Sequence, residues 1–173
     1  MKNNKFVYHG PPREFDSDQA TSKRNIRTKQ EKNPGSRDVI FDRISFHVTP
    51  HKWIALAYAC KPAPVQMGER TTHYNMGVDL YDHTKEIEIF GRHSLEESLK
   101  VLYGGGGYLY YFDKNKFTYK EGLGNLEVIS EKPLKPIKVE RIDDPVAELK
   151  KLGTTFKFID LSLPKNEKYQ NYW

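Results

Sequence analysis

The stretch "ISFHVTPHKWIALAYA", residues 44 to 59, decides how this chain is read. A strand signal, already visible in "VIFDRISFHV" at 39 to 48, ends at a Thr-Pro stop. Pro50 then stands where a helix can begin, at its first turn. Trp53, Ile54, Leu56, Ala57 and Tyr58 give that helix an apolar side, and "KPAP" at 61 to 64 ends it. His47 and Thr49 carry side chains able to do chemistry. The stretch is thus half of a phosphoesterase site, a wall of a nucleotide cleft, or core.

Working outward, "KFVY" at 5 to 8 reads as a first strand stopped by "HGPP". Residues 13 to 37 are polar, without period, and carry seven Lys or Arg residues. They read as a long loop, and 16 to 36 as a mobile, anion-attracting flap over a ligand. Downstream, "MGVDLY" and "EIEIF" alternate as strands, and "DHTK" between them suggests a hairpin. "HSLEESLKVLYG" is a short helix: Ser94 with Glu97 forms a capping-box pattern and Gly104 is a natural stop. Then come four strand candidates, "YLYYF", "KFTY", "LEVIS" and "PIKVERI". A helix over "PVAELKKLG" and a last strand "TFKFIDL" close the pattern. The expectation is one α+β domain over residues 1 to 173, with mostly antiparallel strands and two or three helices.

Composition narrows the classes. Hydrophobic residues are 37% and charged residues 29%, so the 13% of aromatic residues, eleven Tyr among them, must supply much of the core. A net charge of +5 suits an anionic partner, although it speaks to non-specific attraction rather than fold. The single Cys60 rules out an internal disulfide framework. "MKNNKFVYHG" lacks the apolar core of a signal peptide, and no apolar run nears the roughly 20 residues of a membrane span. The expectation is a cytoplasmic protein without membrane contact; a toxin delivered by a dedicated secretion machine has the same appearance.

Paired His-x-Thr motifs supply both base and acid in two-histidine phosphoesterases. Here His47-Val48-Thr49 is one copy and no second exists, which disfavours that chemistry. His47 and His51 are four apart, but a strand-to-helix break lies between them. There is no second Cys and no HExxH, so no metal site is expected. "GGGG" at 104 to 107 lacks the GK[ST] of a phosphate-binding loop and precedes a strand, so it reads as a link. Tyrosines in "YLYY" and "KFTY" could stack bases, but alternating aromatics in strands more often form core.

Three remaining signals fall in a meaningful order. "VYHG" resembles the His-Gly first motif of the ADP-ribosyltransferase superfamily. "ISFHVTPHKWIALAYA" resembles its second: a strand, Thr or Ser, then a helix ending in an aromatic-Ala pair. "LEVIS" followed by "PLKPIKV" resembles its third, a Glu on a late strand. The resemblance spans residues 6 to about 142. It implies two packed, mostly antiparallel sheets around a cleft for NAD, and cleavage of the nicotinamide-ribose bond with transfer of ADP-ribose to a protein or nucleic-acid acceptor. It puts His9 and Gly10 at the ribose and the nicotinamide amide, and Thr49 as a structural or ribose-contacting hydroxyl. Tyr58 becomes the stacking ring and Glu127 the catalytic carboxylate, with Glu131 its rival. Val128 stands where the family often has Trp, and Asn125 where arginine-modifying members carry Gln or Glu. The His in the first motif points to the branch of the ADP-ribosyl polymerases and RNA 2′-phosphotransferases. The competing class is a non-enzymatic basic module binding nucleic acid or protein, which needs a continuous Lys/Arg face with exposed Tyr.

Overall fold

In the computed structural model the described residues are 5–14, 46–67, 70–78, 84–118, 127–130 and 134–162. The segment 16 to 36 and Glu131 lie outside them. The order of elements is β1 (Phe6–His9), β2 (Phe46–Val48), α1 (Lys52–Tyr58), β3 (Ala63–Met67), β4 (Arg70–Val78), β5 (Glu86–Gly91), α2 (Leu95–Tyr103), β6 (Gly107–Asp113), β7 (Val128–Ser130), β8 (Lys138–Ile142), α3 (Pro145–Lys151) and β9 (Thr155–Asp160). This is an α+β architecture with three helices among the described residues.

The strands form three ladders: β1-β6-β8, β2-β7 and β3-β4-β5-β9. All pairs are antiparallel except β5 with β9, which is parallel. Antiparallel pairing therefore dominates, as expected. The first two ladders are stitched at a single bridge, where Tyr8 N donates to Thr49 O at 2.7 Å and Thr49 N donates to Tyr8 O at 2.9 Å.

Helix α1 organises the core. Trp53, Ile54, Ala55, Leu56 and Ala57 are all buried, so "WIALA" is apolar on every side because the helix is enclosed on every side. It packs against β1, β4, β6 and α3. Its side chains join Ile87, Ile89, Leu102, Leu109 and Leu149 in one cluster that ties α2, α3 and strands of both larger sheets together. Because strand residues alternate faces, Val7, Val48, Tyr110, Phe112, Phe117 and Val128 build a second cluster on the far side.

Local signals explain most element ends. Ser94 Oγ accepts from Glu97 N at 3.1 Å at the start of α2. Asp144 Oδ1 accepts from Ala147 N at 2.9 Å, with Pro145 in the first turn of α3. The glycine run is a helix-to-strand link. At Gly106, φ is +69° and a Cβ would stand 2.6 Å from Ile142 O, so only glycine turns the chain there. At three places the elements extend or depart from the sequence expectation. "KPAP" ends α1 but also opens β3, whose Pro64 is accommodated in a strand at the edge of its ladder. Strand β4 begins at Arg70, six residues before "MGVDLY". Of "KFTY", Lys116 ends a 3₁₀ turn over Lys114–Lys116, Thr118 bridges Ile129, and Tyr119 lies outside the described residues.

Candidate functional site

A cavity of about 340 Å³ opens where β1 and β2 part. Its walls are the end of β1 with Pro11 and Pro12, the β2 segment His47 to Thr49, Ile54, Ala55 and Tyr58 of α1, and Glu127 at the foot of β7. His9, Gly10, Thr49, Tyr58 and Glu127 thus meet in one cavity although they span more than a hundred positions of sequence.

The gap follows from the chain. After the Tyr8–Thr49 bridge, β1 runs into Gly10-Pro11-Pro12, and two prolines cannot donate to a continuing ladder. Gly10 lies against α1. A Cβ there would stand 1.6 Å from Ala55 O and 2.4 Å from Ala55 C. Close approach thus demands this glycine, but the partner is the helix backbone, which accounts for the residue without any ligand.

Thr49 is 5% exposed, and its Oγ1 accepts from His51 N at 3.1 Å. Of the two roles expected for it, the structural one has a visible partner: the hydroxyl turns the chain from β2 into α1. Tyr58 behaves in the opposite way. It is the one exposed residue between Trp53 and Cys60, at 49%, so it is no core tyrosine. Tyr103 Oη donates to Ala57 O at 2.9 Å and pins the helix end that carries it.

His9 is held neutral. Burial pushes its imidazole down to about 4, against the opposing pull of a hydrogen bond to the His47 backbone. A backbone contact that favours the protonated form is one to a carbonyl, so the His9 ring donates across the split to β2. Beside it, His47 Nδ1 lies 3.5 Å from Glu127 Oε2, with side chains 10% and 28% exposed. The ladder explains this contact. His47 pairs with Ile129 and Val48 with Val128; continuing the register sets Thr49 against Glu127. His47, Thr49 and Glu127 therefore share one face, and His47 meets Glu127 on the diagonal, within reach of long side chains. Sequence reasoning set His47 aside with the phosphoesterase idea. Its signal, a residue diagonal to Glu127, needs the β2-β7 register, which no motif shows.

Elsewhere the candidates fall to structure. Tyr8, Tyr74, Tyr103 and Tyr110 are buried, and Tyr108 and Tyr111 have strand cations, Arg141 and Lys138, at 5.8 and 5.0 Å from their rings. Among the described residues these six tyrosines do not form an exposed stacking face; Tyr119 of "KFTY" lies outside the described residues. Burial pushes the Cys60 thiol up to about 11, the state of an inert core cysteine. His51 is lowered by burial and then by the charge of Lys85. Among the described residues no group of three or more His, Cys, Asp or Glu could hold a metal ion. Nor is any described helix long and apolar enough to cross a membrane. No protein-family model, curated protein or solved structure matches the chain.

Proposed function

We propose that the chain is an ADP-ribosyltransferase-like enzyme that cleaves the nicotinamide-ribose bond of NAD and passes ADP-ribose to a macromolecular acceptor, within a fold of that superfamily. One observation carries the reading: the residues named by three separate motifs, His9-Gly10, Thr49 with Tyr58, and Glu127, line a single cavity at the split between β1 and β2. The cavity is at the small end of ligand sites, which run from about 300 Å³ upward. That size suits the nicotinamide-ribose end of NAD and leaves the adenylate end at the mouth.

In this reading Tyr58, exposed at the cavity wall, offers its ring face to the nicotinamide. Glu127 accepts a hydrogen bond from a ribose hydroxyl. As the C–N bond breaks, its electron pair leaves with nicotinamide, and positive charge grows on the ribose. The Glu127 carboxylate stabilises that charge, and an acceptor nucleophile then closes on the same carbon. A neutral His9 suits a cavity that must accommodate a cationic nicotinamide ring, because a second positive charge there would oppose binding.

The test is incubation with NAD labelled in the adenylate half, with cell lysate and with buffer alone. Free nicotinamide and label on a macromolecule are expected. If nicotinamide is not released and calorimetry detects no NAD binding, the reading falls, and the basic binding module becomes the better account of the +5 charge.

A further inference from the structure

We infer that His47 is a positioning residue for Glu127, fixing one carboxylate oxygen so that the other is presented to the ribose hydroxyl. The inference rests on the NAD reading and gives a role at that site to a residue, His47 of the second motif, to which the resemblance assigns none. The geometry carries it. His47 Nδ1 and Glu127 Oε2 are 3.5 Å apart, and the imidazole is 10% exposed, so its surroundings hold the ring in place. Its backbone is held as well, by the ladder to Ile129 and by the hydrogen bond from His9.

Among the described residues no neighbour on its own strand holds the carboxylate in this way. Glu127 lies one residue before β7 and is 28% exposed at the cavity wall. A flexible glutamate samples several rotamers, and those that miss the ribose do no chemistry. A donor fixed on the neighbouring strand narrows that set. A separation of 3.5 Å is longer than a charge-assisted hydrogen bond of about 2.7–2.9 Å, and such contacts commonly tighten when substrate binds.

The role predicts which atoms matter. Asparagine places its Nδ2 the same number of bonds from Cβ as histidine places Nδ1, whereas glutamine reaches to the position of Nε2. Phenylalanine fills the ring's volume and donates nothing. Nicotinamide release by the purified full chain should therefore fall about ten- to a hundredfold in kcat for His47→Phe, with KM for NAD within about threefold, as expected when a catalytic group loses its aim. His47→Asn should recover most of the rate and His47→Gln little of it. In a Glu127→Gln background, His47→Phe should cost nothing further, since the group it aims is already gone.

Three results overturn the inference while leaving the NAD reading standing: full activity in His47→Phe, a loss in His47→Asn as large as in His47→Phe, or fully additive losses in the double variant. Should His47→Phe fail to fold, the comparison of His47→Asn with His47→Gln decides. If the wild-type chain itself releases no nicotinamide, the function is what fails, and the inference falls with it.

Discussion

Gly10→Ala separates two physical reasons for one glycine. The motif resemblance assigns Gly10 to a close approach of backbone to the nicotinamide amide, which forbids a side chain on the ligand side. The structure supplies a different obstacle: a Cβ would lie 1.6 Å from Ala55 O, where ordinary contact begins at 3.4 Å. The shortfall is about 1.8 Å, and the obstructing atoms are main chain, which has no rotamer to change. Either β1 or α1 must move. Since Trp53 to Ala57 of α1 belong to the principal core cluster, movement disturbs packing throughout. Overpacking by one methyl typically costs about 1–3 kcal/mol, and a clash with backbone belongs at or above the top of that range. For a chain of this size about 3 kcal/mol lowers the unfolding midpoint by roughly 6–12 °C. The assay is thermal unfolding followed by circular dichroism, alongside Gly105→Ala, where a Cβ meets nothing within 4 Å and the midpoint should barely move. If Gly10→Ala unfolds with the wild type, the β1–α1 contact as described is wrong. If it keeps its midpoint and loses NAD affinity, the glycine serves the ligand and not the helix.

The remaining predictions divide by what they measure. Glu127→Gln should lower nicotinamide release by about a hundredfold or more while NAD affinity by calorimetry changes little, because the ground state carries less charge at that point than the transition state; unchanged turnover would remove Glu127 from the chemistry. Tyr58→Ala, at a 49% exposed position, should leave stability within about 0.5 kcal/mol of wild type but weaken NAD binding severalfold through lost stacking. Tyr103→Phe leaves the buried Ala57 carbonyl without its 2.9 Å donor and should cost about 1–2 kcal/mol in urea unfolding. His9 has a folded-state value near 4 against an ordinary 6.5, so between those limits the unfolded chain binds more protons and stability rises with pH. Its contribution is complete above about pH 6.5 and is lost as pH falls towards 4; His9→Gln should show a shallower loss of urea midpoint over that interval than wild type.

What the sequence disclosed was local. The Thr-Pro stop, the apolar run of α1, the Ser94 cap and the glycine link each depend on residues a few positions apart, and the structure shows each in place. Strand β3 escaped notice because Pro62 and Pro64 read as a break, whereas an edge strand tolerates a residue that cannot donate. The parallel pairing of β5 with β9 and the bridge from Thr49 to Tyr8 are long-range facts with no local trace. The same limit governs the cavity. Its motif residues could be named by order and type, but the His47–Glu127 contact depends on a register between strands separated by about eighty residues.

The arrangement also divides the site by purpose. Gly10 touches the backbone of α1, and Thr49 ties β2 to β1 and to the turn before the helix. Both hold the frame, and changing either alters the distance between the walls before any ligand arrives. Tyr58, His47 and Glu127, to which the proposed function gives the chemistry, line the cavity, and the exposure of Tyr58 and Glu127 shows that little packing depends on them. Such a division follows from where the ladders part. A sheet opened by a Gly-Pro-Pro segment leaves a gap that must be braced from beneath, and α1, with five consecutive buried residues, is the brace. Bracing by a helix with five consecutive buried residues makes the walls rigid, so side chains at the rim can be aimed without the core shifting to meet them. Loss of turnover with the fold intact therefore belongs to rim substitutions, and loss of both together to the frame. An enzyme whose rim variants lose stability and activity in proportion would not be built this way.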